Sequence, residues 1–154
     1  MSPRVKNPSK SAPDGMKAML AVEASIKSSG LEHSLLELVK LRASQINGCA
    51  FCIDMHTKDA RAAGETEQRI YALNAWRETP FFTERERAAL AWAEAVTHIS
   101  GGVSDDLYAE ARQQFSEKEL VDLTWAVAAI NAWNRVAISF RSVPGSYRPK
   151  APST

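Results

Sequence analysis

The sequence predicts an all-α fold. Three observations carry that prediction. Apolar residues recur at helical spacing through most of the 154 residues, two capping boxes open long apolar runs, and no stretch alternates as a half-buried strand would. A chain of this length can bury a substantial core as one domain. Hydrophobic residues make up 45% and charged residues 24%, ordinary globular values. The net charge of +1 offers no basic footprint, so neither nucleic acid nor an anionic membrane is expected as a partner. No apolar run approaches the roughly 20 residues that span a bilayer. The segment from Met1 to Gly15 is polar, carries Pro3, Pro8 and Pro13, and lacks the apolar core of a signal peptide, so the expected address is cytoplasmic.

The elements follow in order. Residues 1–13 are expected as a flexible arm. Asp14 is placed to cap a first helix through Met16, Met19, Leu20, Val22 and Ile26, which Ser28-Ser29-Gly30 ends. A second helix runs from about Glu32 to Gln45, with Leu35, Leu38, Val39 and Leu41 at helical spacing and Asn47-Gly48 as its stop. A third begins at Cys49 and ends at Gly64. Thr66 starts a fourth, with Ile70, Tyr71, Leu73 and Trp76 assigned to its inner side and Thr79-Pro80 as the break. Thr83 with Glu86 opens a fifth helix, closed by Gly101-Gly102; Ser104 opens a short sixth. Ser116 with Glu119 opens the most apolar segment, Leu120 to Phe140, expected to lie centrally or in a subunit contact. Residues 141–154, with Pro144, Gly145, Pro149 and Pro152, are read as a non-helical tail, leaving 14–140 as a single helical domain.

Both cysteines and one of the three histidines fall in Cys49-Ala50-Phe51-Cys52-Ile53-Asp54-Met55-His56. On a helix, Cys49, Cys52 and His56 form one stripe, and a helix start favours thiolate over thiol. A haem attachment site wants histidine directly after the second cysteine, where Ile53 stands; a thioredoxin-like motif wants a preceding strand, and a helix precedes this one. Glu37 lies on that preceding helix, and a reversal at Asn47-Gly48 folds it back toward His56. Carboxylate, imidazole and thiol then make an orienter, base and nucleophile. The same four residues have acceptable zinc-ligand chemistry, although structural zinc usually draws on a second, distant ligand pair.

Glu37, the Cys49–Cys52 pair and His56, with eleven residues between Glu37 and Cys49 and three between Cys52 and His56, resemble the core motif of the alkylhydroperoxidase D (AhpD-like) family within the carboxymuconolactone decarboxylase superfamily. The resemblance is strongest over residues 31–75. It implies a bundle of about six to seven helices that assembles as a homotrimer or homohexamer. It also implies a dithiol peroxidase without a bound cofactor, acting on organic hydroperoxides through a redox-active Cys49–Cys52 pair. Cys52 is then the attacking sulfur, Cys49 the more exposed resolving sulfur, and Glu37 with His56 the proton relay. A thiol reductant, in the family a lipoyl-bearing protein, would restore the pair. Phe51 stands where family members carry a further histidine. A disulfide oxidoreductase of the same fold and a non-catalytic zinc or redox-sensing module stay open as alternatives.

Among other residues, His33 is assigned to the surface or a cap, His98 to a helix end and Asp59 to an exposed neighbour of His56. Trp92, Trp125 and Trp133 are assigned to core or interface. Asn131, Asn134 and Arg135, set in the apolar last helix, are expected to fix a subunit contact, with lining of the pocket as the alternative.

Overall fold

The computed structural model describes residues 2–149, which contain eight α-helices and no strand. They are α1 (Pro8–Ser11), α2 (Pro13–Lys27), α3 (His33–Asn47), α4 (Ala50–Ala62), α5 (Glu67–Ala72), α6 (Glu84–Thr97), α7 (Asp105–Gln114) and α8 (Glu117–Phe140). Short 3₁₀ segments, Leu73–Glu78 and Ile99–Gly101, follow α5 and α6. The helix additional to the seven expected is the single turn α1, inside the segment read as an arm. Arg4 from the same segment donates its backbone N–H to the Phe140 carbonyl at 2.9 Å. No helix appears over 141–149; Met1 and residues 150–154 lie outside the described residues.

Both capping boxes form as written in the sequence. At α6, Thr83 and Glu86 exchange hydrogen bonds with each other's backbone N–H, and Ser116 and Glu119 do the same at α8. The Ser116 backbone N–H and the Arg85 guanidinium hold the Glu119 carboxyl at about 2. Asp14 is not the cap of α2. That position falls to Ala12, with Pro13 at the first helical residue, where its missing N–H costs nothing, and Asp14 in the first turn.

The helix at the centre is α3. Nine of its residues, Leu35 to Leu41 with Ala43 and Ser44, are buried, because all three apolar clusters take residues from it. Leu35, Leu36 and Val39 pack with Trp92 of α6 and Leu123 and Val127 of α8. Leu38 and Leu41 pack with Ala60, Ile70, Leu73, Trp76 and Leu90. Ala43 closes the cluster around the two cysteines. Although more apolar, α8 is packed on one side only; Val121 and Trp125 are 52% and 58% exposed. Tyr71, assigned to an inner side, is 73% exposed, since it lies one residue, about 100° of helix, beyond the buried Ile70.

Asn131 and Asn134 are also corrected: their partners lie inside the chain. Asn47 Nδ2 donates to Asn131 Oδ1 at 2.9 Å and Asn134 Oδ1 at 2.8 Å, while Asn134 Nδ2 donates to Ser44 Oγ at 3.1 Å. This seam ties the end of α3 to α8, immediately before the cysteines. Asn134 is fully buried, and Asn134→Ala removes one of the two acceptors of Asn47 Nδ2 and the donor to Ser44 Oγ. It is expected to cost about 1–3 kcal/mol, read as a lower urea midpoint at unchanged m-value.

Candidate active site

The local sequence builds the site from a helix stop followed by a helix start. Gly48 adopts a left-handed conformation (φ 68°), which glycine takes without Cβ strain. The Gly48 N–H then bonds the Gln45 carbonyl and the Cys49 N–H the Ser44 carbonyl, a Schellman closure of α3. Cys49 is thereby set as the N-cap of α4, where its Sγ accepts the Cys52 N–H at 3.4 Å. Cys49 and Cys52 are joined as a disulfide with their Cα atoms 5.4 Å apart.

Cys52, His56 and Ala60 are the buried residues of α4, spaced one turn apart, so the stripe expected from the sequence is the face turned inward. Cys49 is 1% and Cys52 2% exposed, so Cys49 is not the more exposed of the two. As the N-cap it tucks under the reversal, against Ala43, Ile130 and Ala137, with Phe51 and Trp133 packed over the cluster.

Glu37 and His56 meet across the α3–α4 hairpin. His56 Nδ1 lies 2.8 Å from Glu37 Oε2, and both residues are 5% exposed. Burial alone would raise the Glu37 carboxyl. The His56 hydrogen bond and the charges of His56, Lys40 and His33 outweigh it, holding Glu37 below the usual carboxylate range. His33, expected at the surface, is exposed at 61% of its side chain, yet its Nε2 comes within 3.8 Å of Glu37 Oε1. Because Glu37 takes Nδ1, the ring's other nitrogen is left for a second partner.

Asp59 is half-buried rather than exposed, and it joins this group. One ligand-capable atom each from Glu37, His56 and Asp59 lie within 4.8 Å of one another. Asp59 is itself bonded by the Tyr147 hydroxyl, at 2.7 Å to Oδ1 and 3.0 Å to Oδ2. Glu37 thus pairs with His56 and Tyr147 with Asp59, while both sulfurs are joined in the disulfide. Sequence reasoning missed Tyr147, which lies 88 residues from Asp59 in a segment without periodicity.

Comparison with known proteins fits this geometry. Residues 13–95, more than half of the chain, match the carboxymuconolactone decarboxylase family. The chain belongs to that family. It is 50% identical to the uncharacterised Bacillus subtilis protein YdfG over 83% of this chain and 88% of that one. An Agrobacterium tumefaciens protein of unknown function, described as a candidate antioxidant-defence protein AhpD, superposes with a TM-score of 0.90. It is 48% identical, and the match covers 95% of this chain and 100% of that one. The alkyl hydroperoxide reductase AhpD of Bradyrhizobium diazoefficiens is 46% identical over 27% of this chain and 22% of its own length. The AhpD-like resemblance drawn from Glu37, Cys49, Cys52 and His56 therefore holds, as does the all-α fold it implied. No described helix is long and apolar enough to cross a membrane.

Proposed function

We propose that this family member is a dithiol peroxidase that reduces organic hydroperoxides, in antioxidant defence. The observation that carries the reading is the buried Glu37–His56 contact, 2.8 Å across the α3–α4 hairpin, with His56 on the α4 face that also holds Cys52. In the reduced protein, Glu37 orients His56, and His56 accepts the Cys52 proton. The thiolate attacks the terminal oxygen of ROOH and the O–O bond breaks. Cys52 becomes a sulfenic acid, and the alkoxide leaves as ROH with the proton held by His56. The Cys49 thiol displaces water from the sulfenic acid, forming the disulfide. A dithiol reductant, of which a lipoyl-bearing protein is one kind, exchanges with the disulfide, returns both cysteines to thiols and is itself oxidised. Every redox step uses the two sulfurs, so no bound cofactor is required.

The exposed Val121 and Trp125 on α8 support assembly as a homotrimer or homohexamer, since apolar groups at helical spacing are covered in such contacts. Cytoplasmic residence fits a dithiol kept in turnover by a reducing pool.

One equivalent of cumene hydroperoxide added to reduced protein tests the proposal. It is expected to remove two thiols per chain and release one equivalent of cumyl alcohol. Oxidation by a disulfide partner with no response to peroxide would move the assignment to an oxidoreductase. Stoichiometric zinc without thiol loss would make it a binding module.

A further inference from the structure

The tail beyond α8 is held against α4 at three points. The Gly145 N–H bonds Asp54 Oδ2 at 3.0 Å. Lys58 Nζ, itself paired with Asp54 at 2.8 Å, reaches the carbonyls of Gly145 and Tyr147 at 3.4 and 3.3 Å. Tyr147 then sets its hydroxyl on both oxygens of Asp59. Burial first, and then the Asp59 bond and the Asp59 and Glu37 charges, push the Tyr147 phenol up to about 12, so it remains a donor. Among the described residues, Tyr147 is the one side chain that donates to the Asp59 carboxylate.

His56 thus has two carboxylates beside it, and only one makes the bond to Nδ1. A free Asp59 would compete with Glu37 for the ring N–H and turn the imidazole away from its orienter. A neutral hydroxyl occupying Asp59 removes that competition. We propose that Tyr147 is a positioning residue for His56, acting by holding the Asp59 carboxylate away from the imidazole, so that the ring stays on Glu37. This rests on reading His56 as the base for Cys52. The charged and titratable groups around the pair are His33, Glu37 and Lys40 from α3, Asp59 from α4 and Tyr147 from the tail.

The test is the pH midpoint of thiolate formation in the reduced protein, followed by thiolate ultraviolet absorbance and by the rate of iodoacetamide alkylation. Tyr147→Phe keeps the ring and removes the donor; it is expected to raise the midpoint by roughly one pH unit, the scale of one hydrogen bond to a charged group. Adding Asp59→Asn to Tyr147→Phe should recover most of that shift, because the competing charge is gone; a merely structural contact would not be rescued. Asp54→Ala, which removes the acceptor of the Gly145 N–H without touching Asp59, should shift the midpoint in the same direction and serves if Tyr147→Phe fails to fold. An unchanged midpoint in folded Tyr147→Phe, or a double variant shifted as far as the single one, would overturn the proposal. Neither readout uses peroxide. If the midpoint moves while the wild-type protein ignores cumene hydroperoxide, the positioning role stands and the peroxidase reading falls.

Discussion

Replacing Cys52 by serine is expected to reduce hydroperoxide consumption to the uncatalysed background. Replacing Cys49 by serine should instead allow a single turnover that stops at a sulfenic acid on Cys52, captured by dimedone and seen as an adduct on the Cys52 peptide by mass spectrometry. The two sulfurs sit in the same turn, yet they have different neighbours. Cys52 shares the His56 face of α4, whereas Cys49 caps the helix and accepts the Cys52 N–H. Helix-terminus electrostatics alone would favour Cys49 as the thiolate. The reading that His56 decides the matter is therefore exposed to direct contradiction. Dimedone found on Cys49 in the Cys52→Ser protein would exchange the two roles.

The largest stability effect is expected at Glu94. Its carboxylate accepts from Arg42 Nε of α3 at 2.8 Å, from Trp76 Nε1 at 2.9 Å and from Arg77, joining α3, α6 and the 3₁₀ segment after α5. Glu94→Ala leaves the Arg42 charge and the Trp76 N–H unpaired in a largely buried place. The expected loss is about 2–4 kcal/mol, measured by chemical denaturation. Burial would raise the Glu94 carboxyl, but the Trp76, Arg77 and Arg42 bonds together hold it below its ordinary value. A carboxyl depressed in the folded state stabilises fully above its unfolded value of about 4.3, and that contribution is lost as pH falls through the folded value. The wild-type protein should therefore lose stability in acid more steeply than Glu94→Ala does.

Much of the frame was legible because it is encoded locally. Thr83 with Glu86 and Ser116 with Glu119 mark helix starts within four residues, and Asn47-Gly48 marks the reversal that brings Glu37 onto His56. What the sequence concealed depends on contacts between distant residues. Asn47 looked like a stop signal, yet its side chain bridges Asn131 and Asn134, 84 and 87 residues away. Tyr147 lies in a tail without periodicity, and nothing local to Asp59 announces it. Tyr71 was misplaced because it was grouped with Ile70, although neighbouring residues of a helix point about 100° apart and the buried stripe runs through Ile70 and Leu73. The relative exposure of Cys49 and Cys52 was likewise set by packing against α8, through Ile130 and Ala137, rather than by order along α4.

The central claim is that Glu37, through His56, activates Cys52. The direct measurement is the single-turnover rate of thiol oxidation by cumene hydroperoxide in reduced wild-type, Glu37→Gln and His56→Gln proteins, alone and combined. Glu37→Gln keeps the side-chain shape and removes the charge. Either single variant is expected to slow oxidation by about two orders of magnitude. The double variant should be little slower than the singles, because the two residues act as one unit. Oxidation of Glu37→Gln at the wild-type rate would contradict the account.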